Sequence, residues 1–142
     1  MDITISSLIS DVKRHLSVIG KRLYDKQGNN LFANVTLSSA EDTAILTQYI
    51  TSAAHDIEAA LKQFISQADY GNTISMNISN TRGDSDFETR TNDMARAYIT
   101  RSAVGEYLSM LHPDIAQKYH RDAQQRMETL IAYVFYKKPP IN

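Results

Sequence analysis

The chain has 142 residues, with 15 Lys+Arg, 16 Asp+Glu, 4 His and neither Cys nor Trp. That length suits one domain, and surface scaling lets about two-thirds of the unfolded surface leave water, enough for a core without cross-links. Zero Cys excludes disulfides, thiolate zinc sites and cysteine nucleophiles, and a net charge of −1 argues against nucleic-acid binding by bulk positive charge.

No apolar run approaches the roughly 18 residues of a membrane span. The start Met1-Asp2-Ile3-Thr4 lacks the basic and apolar regions of a secretion signal, so the expected compartment is the cytoplasm. No membrane partner is expected.

The first periodic set is Ile5, Leu8, Ile9, Val12, Leu16, Ile19 and Leu23. Steps of three and four predict a helix over about 3–23. Gly20 weakens its last turn by about 1 kcal/mol relative to Ala. Residues 25–30, with Gly28 and two Asn, read as a turn. Leu31 to Leu37 reads as an extended connector that packs Leu31 or Phe32 on the core.

Ser38 and Glu41 form a capping-box pattern that starts a second helix, predicted over 39–66. Its stripe includes Ile45, Leu46, Tyr49, Ile50, Ala53, Ile57, Leu61, Phe64 and Ile65. Asp69-Tyr70-Gly71-Asn72 breaks it. Thr73 to Ser79 then alternates apolar and polar residues, which predicts a strand. Its partner is expected to be the 31–37 segment or another subunit.

Asn80 to Asp84 reads as a turn, and its Arg82-Gly83-Asp84 tripeptide as a structural element. The third helix is predicted over 87–111 from Phe87, Met94, Tyr98, Ile99, Val104, Tyr107, Leu108 and Leu111. Ser85 with Glu88, or Thr91, could cap it. Ala95, Ala97, Ser102, Ala103 and Gly105 would let a neighbour approach closely. His112-Pro113 ends that helix and opens a fourth over 113–136, with Ile115, Tyr119, Ala123, Met127, Leu130, Ile131 and Val134 inward. The predicted fold is mainly α. It is a four-helix bundle-like domain over 1–138, with a strand or hairpin excursion over 67–86 and a flexible tail over 139–142.

The chain carries no strong catalytic motif. No Glu is followed by His at the spacing of a di-iron site, and His-Glu-x-x-His is missing. His55 and Glu58 stand at the reverse spacing, which suits a solvated helix face better than a metal. No phosphate-binding Gly-rich loop or Gly-x-Ser-x-Gly elbow occurs. His112 and His120 flank the fourth helix start without a marked acid–base partner. No enzyme, metal or other cofactor is expected. Two basic clusters, Lys13-Arg14 with Lys21-Arg22 and Lys118, His120, Arg121, Arg126, are diluted by acids and read as solvated faces. Tyr supplies eight of the twelve aromatics, and Tyr133, Phe135 and Tyr136 precede Lys137-Lys138. Tyr suits interfaces, being apolar in body and polar at its tip.

Three stretches carry a resemblance. They are Ser39-Ala40-Glu41-Asp42 leading into Ile45-Leu46, Tyr49-Ile50 and Ala53-Ala54; the Ala97-Tyr98 to Tyr107-Leu108 helix; and the closing helix with Tyr119, Leu130 and Ile131. In these and in element order the chain resembles the small α-helical head–tail connector, or adaptor, proteins of tailed bacteriophages. The resemblance implies a virion structural protein located in the neck. Such a protein assembles as a ring, often a dodecamer, between the portal protein and the next neck or tail protein. DNA would pass through it as cargo. It implies contacts from the excursion at Ile74, Met76, Ile78, Arg82 and Asp84. Further contacts would come from Tyr133, Tyr136, Lys137, Lys138, Pro139, Pro140 and Ile141. The alternatives are a helical interaction or regulatory module outside any virion, and a small helical enzyme.

Overall fold

A computed structural model describes residues 1–22 and 40–136. The protein is mainly helical, with a small antiparallel sheet at one end. Its elements are β1 (Asp2–Thr4), α1 (Ile5–Arg22), α2 (Ala40–Ala60), a 3-10 turn (Lys62–Phe64), β2 (Ile65–Tyr70), β3 (Thr73–Ile78), α3 (Phe87–Leu108) and α4 (Pro113–Val134). The predicted turn at 25–30, the connector at 31–37, the Ser38 cap and the 139–142 tail lie outside the described residues.

The strand at 73–78 exists, but its partners differ from both expectations. β3 is the central strand, flanked by β1 and β2 of the same chain. Ile3 pairs with Ile74, and Tyr70 also pairs with Ile74 across the hairpin. The first helix therefore starts at Ile5 rather than Ile3, because residues 2–4 are drawn into the sheet. Thr4 caps it: the Ser7 amide donates to Thr4 Oγ1 at 3.4 Å and the Ser7 hydroxyl to the Thr4 carbonyl at 2.8 Å.

The second helix ends at Ala60, six residues before the predicted Ser66. Residues 65–70 form β2 instead, because the hydrogen-bond ladder to β3 satisfies their backbone. Ile65, Ala68 and Tyr70 still face the core. The third and fourth helices end at Leu108 and Val134, slightly inside the predicted 111 and 136. Asp86 takes the N-cap position of α3, where Ser85 and Thr91 were the candidates.

α3 is the hub, packing against α1, α2 and α4. It runs parallel to α1, since the amino group of Met1 lies 4.0 Å from Glu88 while Asp11, further along, meets Arg96. It runs antiparallel to α4, since Phe87 stacks on Tyr133 and Arg101 bonds Asp122. The core joins Ile3, Leu8, Val12, Leu46, Ile50, Ile57, Leu61, Ile74, Met76, Ile99, Leu108 and Leu130, all at most 2% exposed. At about 25 cal/mol per Å² of apolar surface, such burial is the main stabilising term. On α4 the buried Ala116, Ala123 and Leu130 recur every seventh residue, which is the seam of a helix with one close neighbour.

The expected close approach occurs at Gly105. A Cβ there would lie 2.9 Å from two His120 ring atoms. A methyl group at Gly105 must therefore evict the imidazole, although Ala favours a helix by about 1 kcal/mol. Gly105→Ala is expected to destabilise the protein by about 1 kcal/mol, whereas in a His120→Ala background the same change should stabilise it. Urea denaturation of the four-member cycle would measure this; equal effects in both backgrounds would refute the packing account.

Candidate interaction surface

The turn after β3 is built by Asn80. Its side-chain carbonyl accepts the amides of Arg82 (3.2 Å) and Gly83 (2.9 Å), and its Nδ2 donates to the Asp84 carbonyl (2.9 Å). Gly83 has φ of 70°, a conformation that costs glycine little. This shape presents Thr81 and Arg82 to the end of α4.

A helix ends with carbonyls that lack intrahelical partners. At α4 the Thr81 hydroxyl donates to the Val134 carbonyl at 2.6 Å, and Arg82 Nη1 donates to the Tyr133 carbonyl at 3.4 Å. The Arg82 cation also suits the negative end of the helix dipole. Its guanidinium carbon lies 4.4 Å from the Tyr133 ring centroid and 4.0 Å from that of Tyr136. Asp84 holds Arg82 Nε at 3.1 Å. The Arg-Gly-Asp turn is thus a cap on α4.

Around this cap the aromatics interlock. Tyr133 stacks on Phe87 at 5.6 Å, and Phe135 meets Phe64 edge-on at 4.7 Å. Phe135 and Tyr136 remain 40% and 38% exposed. A hollow of about 350 Å³ lies beside the turn, with Ile78, Asn80, Asp84 and Phe87 in its wall.

Four of the sequence candidates, Arg82, Asp84, Tyr133 and Tyr136, therefore meet at one place. Ile74 and Met76 do not belong to a surface: they are 0% and 2% exposed and fill the core beneath the sheet. The alternating pattern identifies their strand; their place among the contact residues rests on the resemblance, whereas a sheet covered by helices turns this apolar side inward. Ile78 is half-buried against the core. Tyr133 is buried as well as Val134, which places it inside the cluster rather than on the outer face. Lys137, Lys138, Pro139, Pro140 and Ile141 lie outside the described residues. Phe135, Phe64 and Thr81 were not singled out as site residues; only the position of Phe135 between Val134 and Tyr136 hinted at its role.

Several other polar groups are locally partnered, whereas the buried Tyr133 hydroxyl, Asn92 Oδ1, Thr100 hydroxyl and His112 Nδ1 have no hydrogen-bond partner among the described residues. Tyr70 donates a 2.5 Å hydrogen bond to Glu58, whose carboxylate also lies 3.5 Å from His55 Nδ1, and the His55 and Tyr70 rings are 4.0 Å apart. Burial, then Glu58, raises the Tyr70 phenol well above its ordinary range. Burial, with Asp56 accepting its proton at 3.0 Å, pushes Tyr98 up to about 12. Among the described residues no group of three His, Asp or Glu is placed to hold a metal. Ser109 and His120 meet at 3.3 Å, a pairing the sequence did not reveal, but the Ser109 hydroxyl donates to the Gly105 carbonyl.

His15 joins α1 to α4, with Nδ1 3.3 Å from the Tyr119 hydroxyl and the two rings edge-on. Its pKa falls below the ordinary 6.5, chiefly through burial and then through Arg101, with Asp11 and Asp122 opposing. Comparisons of the chain with protein-family models, curated proteins and solved structures found no match.

Two expectations follow. Arg82→Ala should cost on the order of 1–2 kcal/mol by removing both ring contacts and the α4 cap, and Arg82→Lys should recover only part; equal denaturation midpoints for wild type and Arg82→Ala would refute the clamp. For His15 the unfolded chain takes up a proton near pH 6.5 while the folded chain resists, so this group removes stability as pH falls below 6.5. His15→Gln should flatten the stability profile between pH 6.5 and 5, and an unchanged profile would refute the assignment.

Proposed function

We propose that the protein is a virion structural subunit of the head–tail connector type, assembling as a ring between a portal and the next neck component. The observation that carries this reading is the placement of exposed apolar residues at both ends of the α3–α4 hairpin. At the connection between the helices, Met110 is 92% and Leu111 53% exposed. At the open end lie Phe135 and Tyr136 beside Arg82. A helix of 22 residues separates the two groups by roughly 33 Å.

Exposed apolar side chains with Tyr and Arg among them suit the centre of a protein interface. A ring subunit that joins two components needs contacts on separate surfaces, and head-to-tail contacts close into rings when the rotation permits. The resemblance in helix order to phage adaptors supports the same role. DNA then passes through the ring.

Native mass spectrometry and sedimentation at neutral pH, with and without an added phage portal protein, test the reading. The double variant Phe135→Ser/Tyr136→Ser is expected to lower assembly or portal binding at least tenfold, and Met110→Ser/Leu111→Ser to impair a different contact. A wild-type protein that stays monomeric at high concentration and binds no portal would overturn it.

A further inference from the structure

We propose that the cleft between α1 and α3 is a binding site for a phosphate group. This inference is independent of the ring assignment. The cleft has a volume of about 330 Å³. Asp11, Arg14 and His15 line it from α1, and Asp93, Arg96, Thr100 and Arg101 from α3. Ala97 is small, which leaves room between the helices.

Arginines outnumber carboxylates around the cleft. Asp11 lies 3.4 Å from Arg14 and 2.8 Å from Arg96. Asp122 is shared by Arg101 and, at 3.5 Å, by Arg126. Four guanidinium groups thus lean on two carboxylates, on a chain whose net charge is −1. A guanidinium carries five N–H donors. Arg96 uses Nη1 on Ser7 and Asp11, and Arg101 uses Nε on Asp122 and Nη1 on the Ala97 carbonyl.

A second observation points into the same place. Thr100 is 3% exposed, and its hydroxyl has no hydrogen-bond partner. Buried hydroxyls are normally satisfied. Here one lies unpartnered in the wall of a cleft rich in guanidinium donors. His15 adds a neutral donor: when Nδ1 accepts from Tyr119, the ring proton sits on Nε2.

The donors converge from two helices, Arg14 and His15 from α1 and Arg96, Thr100 and Arg101 from α3. That arrangement suits the tetrahedral oxygens of a phosphate better than a planar carboxylate, and guanidinium forks bind phosphate well. Asp93, exposed at the rim, opposes the anion. The phosphate can come from a small phosphate ester or from a nucleic-acid backbone.

The test uses the full chain labelled with nitrogen-15. Inorganic phosphate is titrated at pH 7 against sodium chloride of matched ionic strength. Saturable amide shifts are expected at residues 11–15 and 93–101, and not with chloride. Arg14→Ala removes a residue that is 74% exposed and so spares the fold. That variant, Arg96→Lys and Thr100→Val should each weaken phosphate binding at least threefold, while Asp93→Asn should strengthen it about twofold. A 20-base-pair duplex and adenosine monophosphate, each competed with phosphate, tell a backbone source from a small ester. Shifts that match those with chloride, equal shifts with acetate or a glutamate peptide, or binding unchanged in all three weakening variants would overturn the proposal.

Discussion

The fold depends on the burial of α3. Nearly half of its residues are buried, and they face several directions rather than one stripe. A helix of this kind has to be enclosed. Ala95, Ala103 and Gly105 let the surrounding helices come close without strain. α1, α2 and the sheet end supply that enclosure, and α4 completes it with a narrow seam. Because α4 meets essentially one helix, most of its circumference stays polar and wet.

The same constraint explains the end of the molecule that carries the candidate surface. Packing along α3 brings the last turn of α4 beside the turn that follows β3. The open carbonyls there need donors, and Thr81 and Arg82 provide them. The Asn80 hydrogen bonds and the left-handed Gly83 hold those donors in place. Once the cap is formed, Arg82 orients Tyr136 while Phe64 orients Phe135, so two exposed aromatics are held in defined positions. Preorganised aromatic side chains lose little freedom on binding, which favours an interface role.

Charge is distributed by tertiary contact rather than by local composition. The total is nearly balanced, yet α1, α3 and α4 bring four arginines onto two shared aspartates. Exposed pairs of this sort add little stability. Their local excess of cation also lowers the His15 pKa after burial has done most of the work. The structural role at the α4 end and the cationic cleft thus occupy different faces built on one central helix.

The sequence by itself determined the helical class, the four helices and most of their inward faces, because a period of three to four apolar residues is a local property. It also located the strand at 73–78, the helix start at Pro113 and the Arg-Gly-Asp turn as a structural element, though not its capping of α4. It could not decide that residues 2–4 and 65–70 are strands. Their helix-like spacing is overridden by hydrogen bonds to β3, and those partners are distant in the chain. The same holds for the site. Tyr136 and Arg82 were visible as residue types, but Ile74 and Met76 belong to the core because the helices cover that face of the sheet. Arg96 and Arg101 gained meaning only when α3 was placed between α1 and α4. Only the tertiary structure decided these points, since burial and electrostatics depend on what lies across space, and the linear pattern reports only what lies within a few turns.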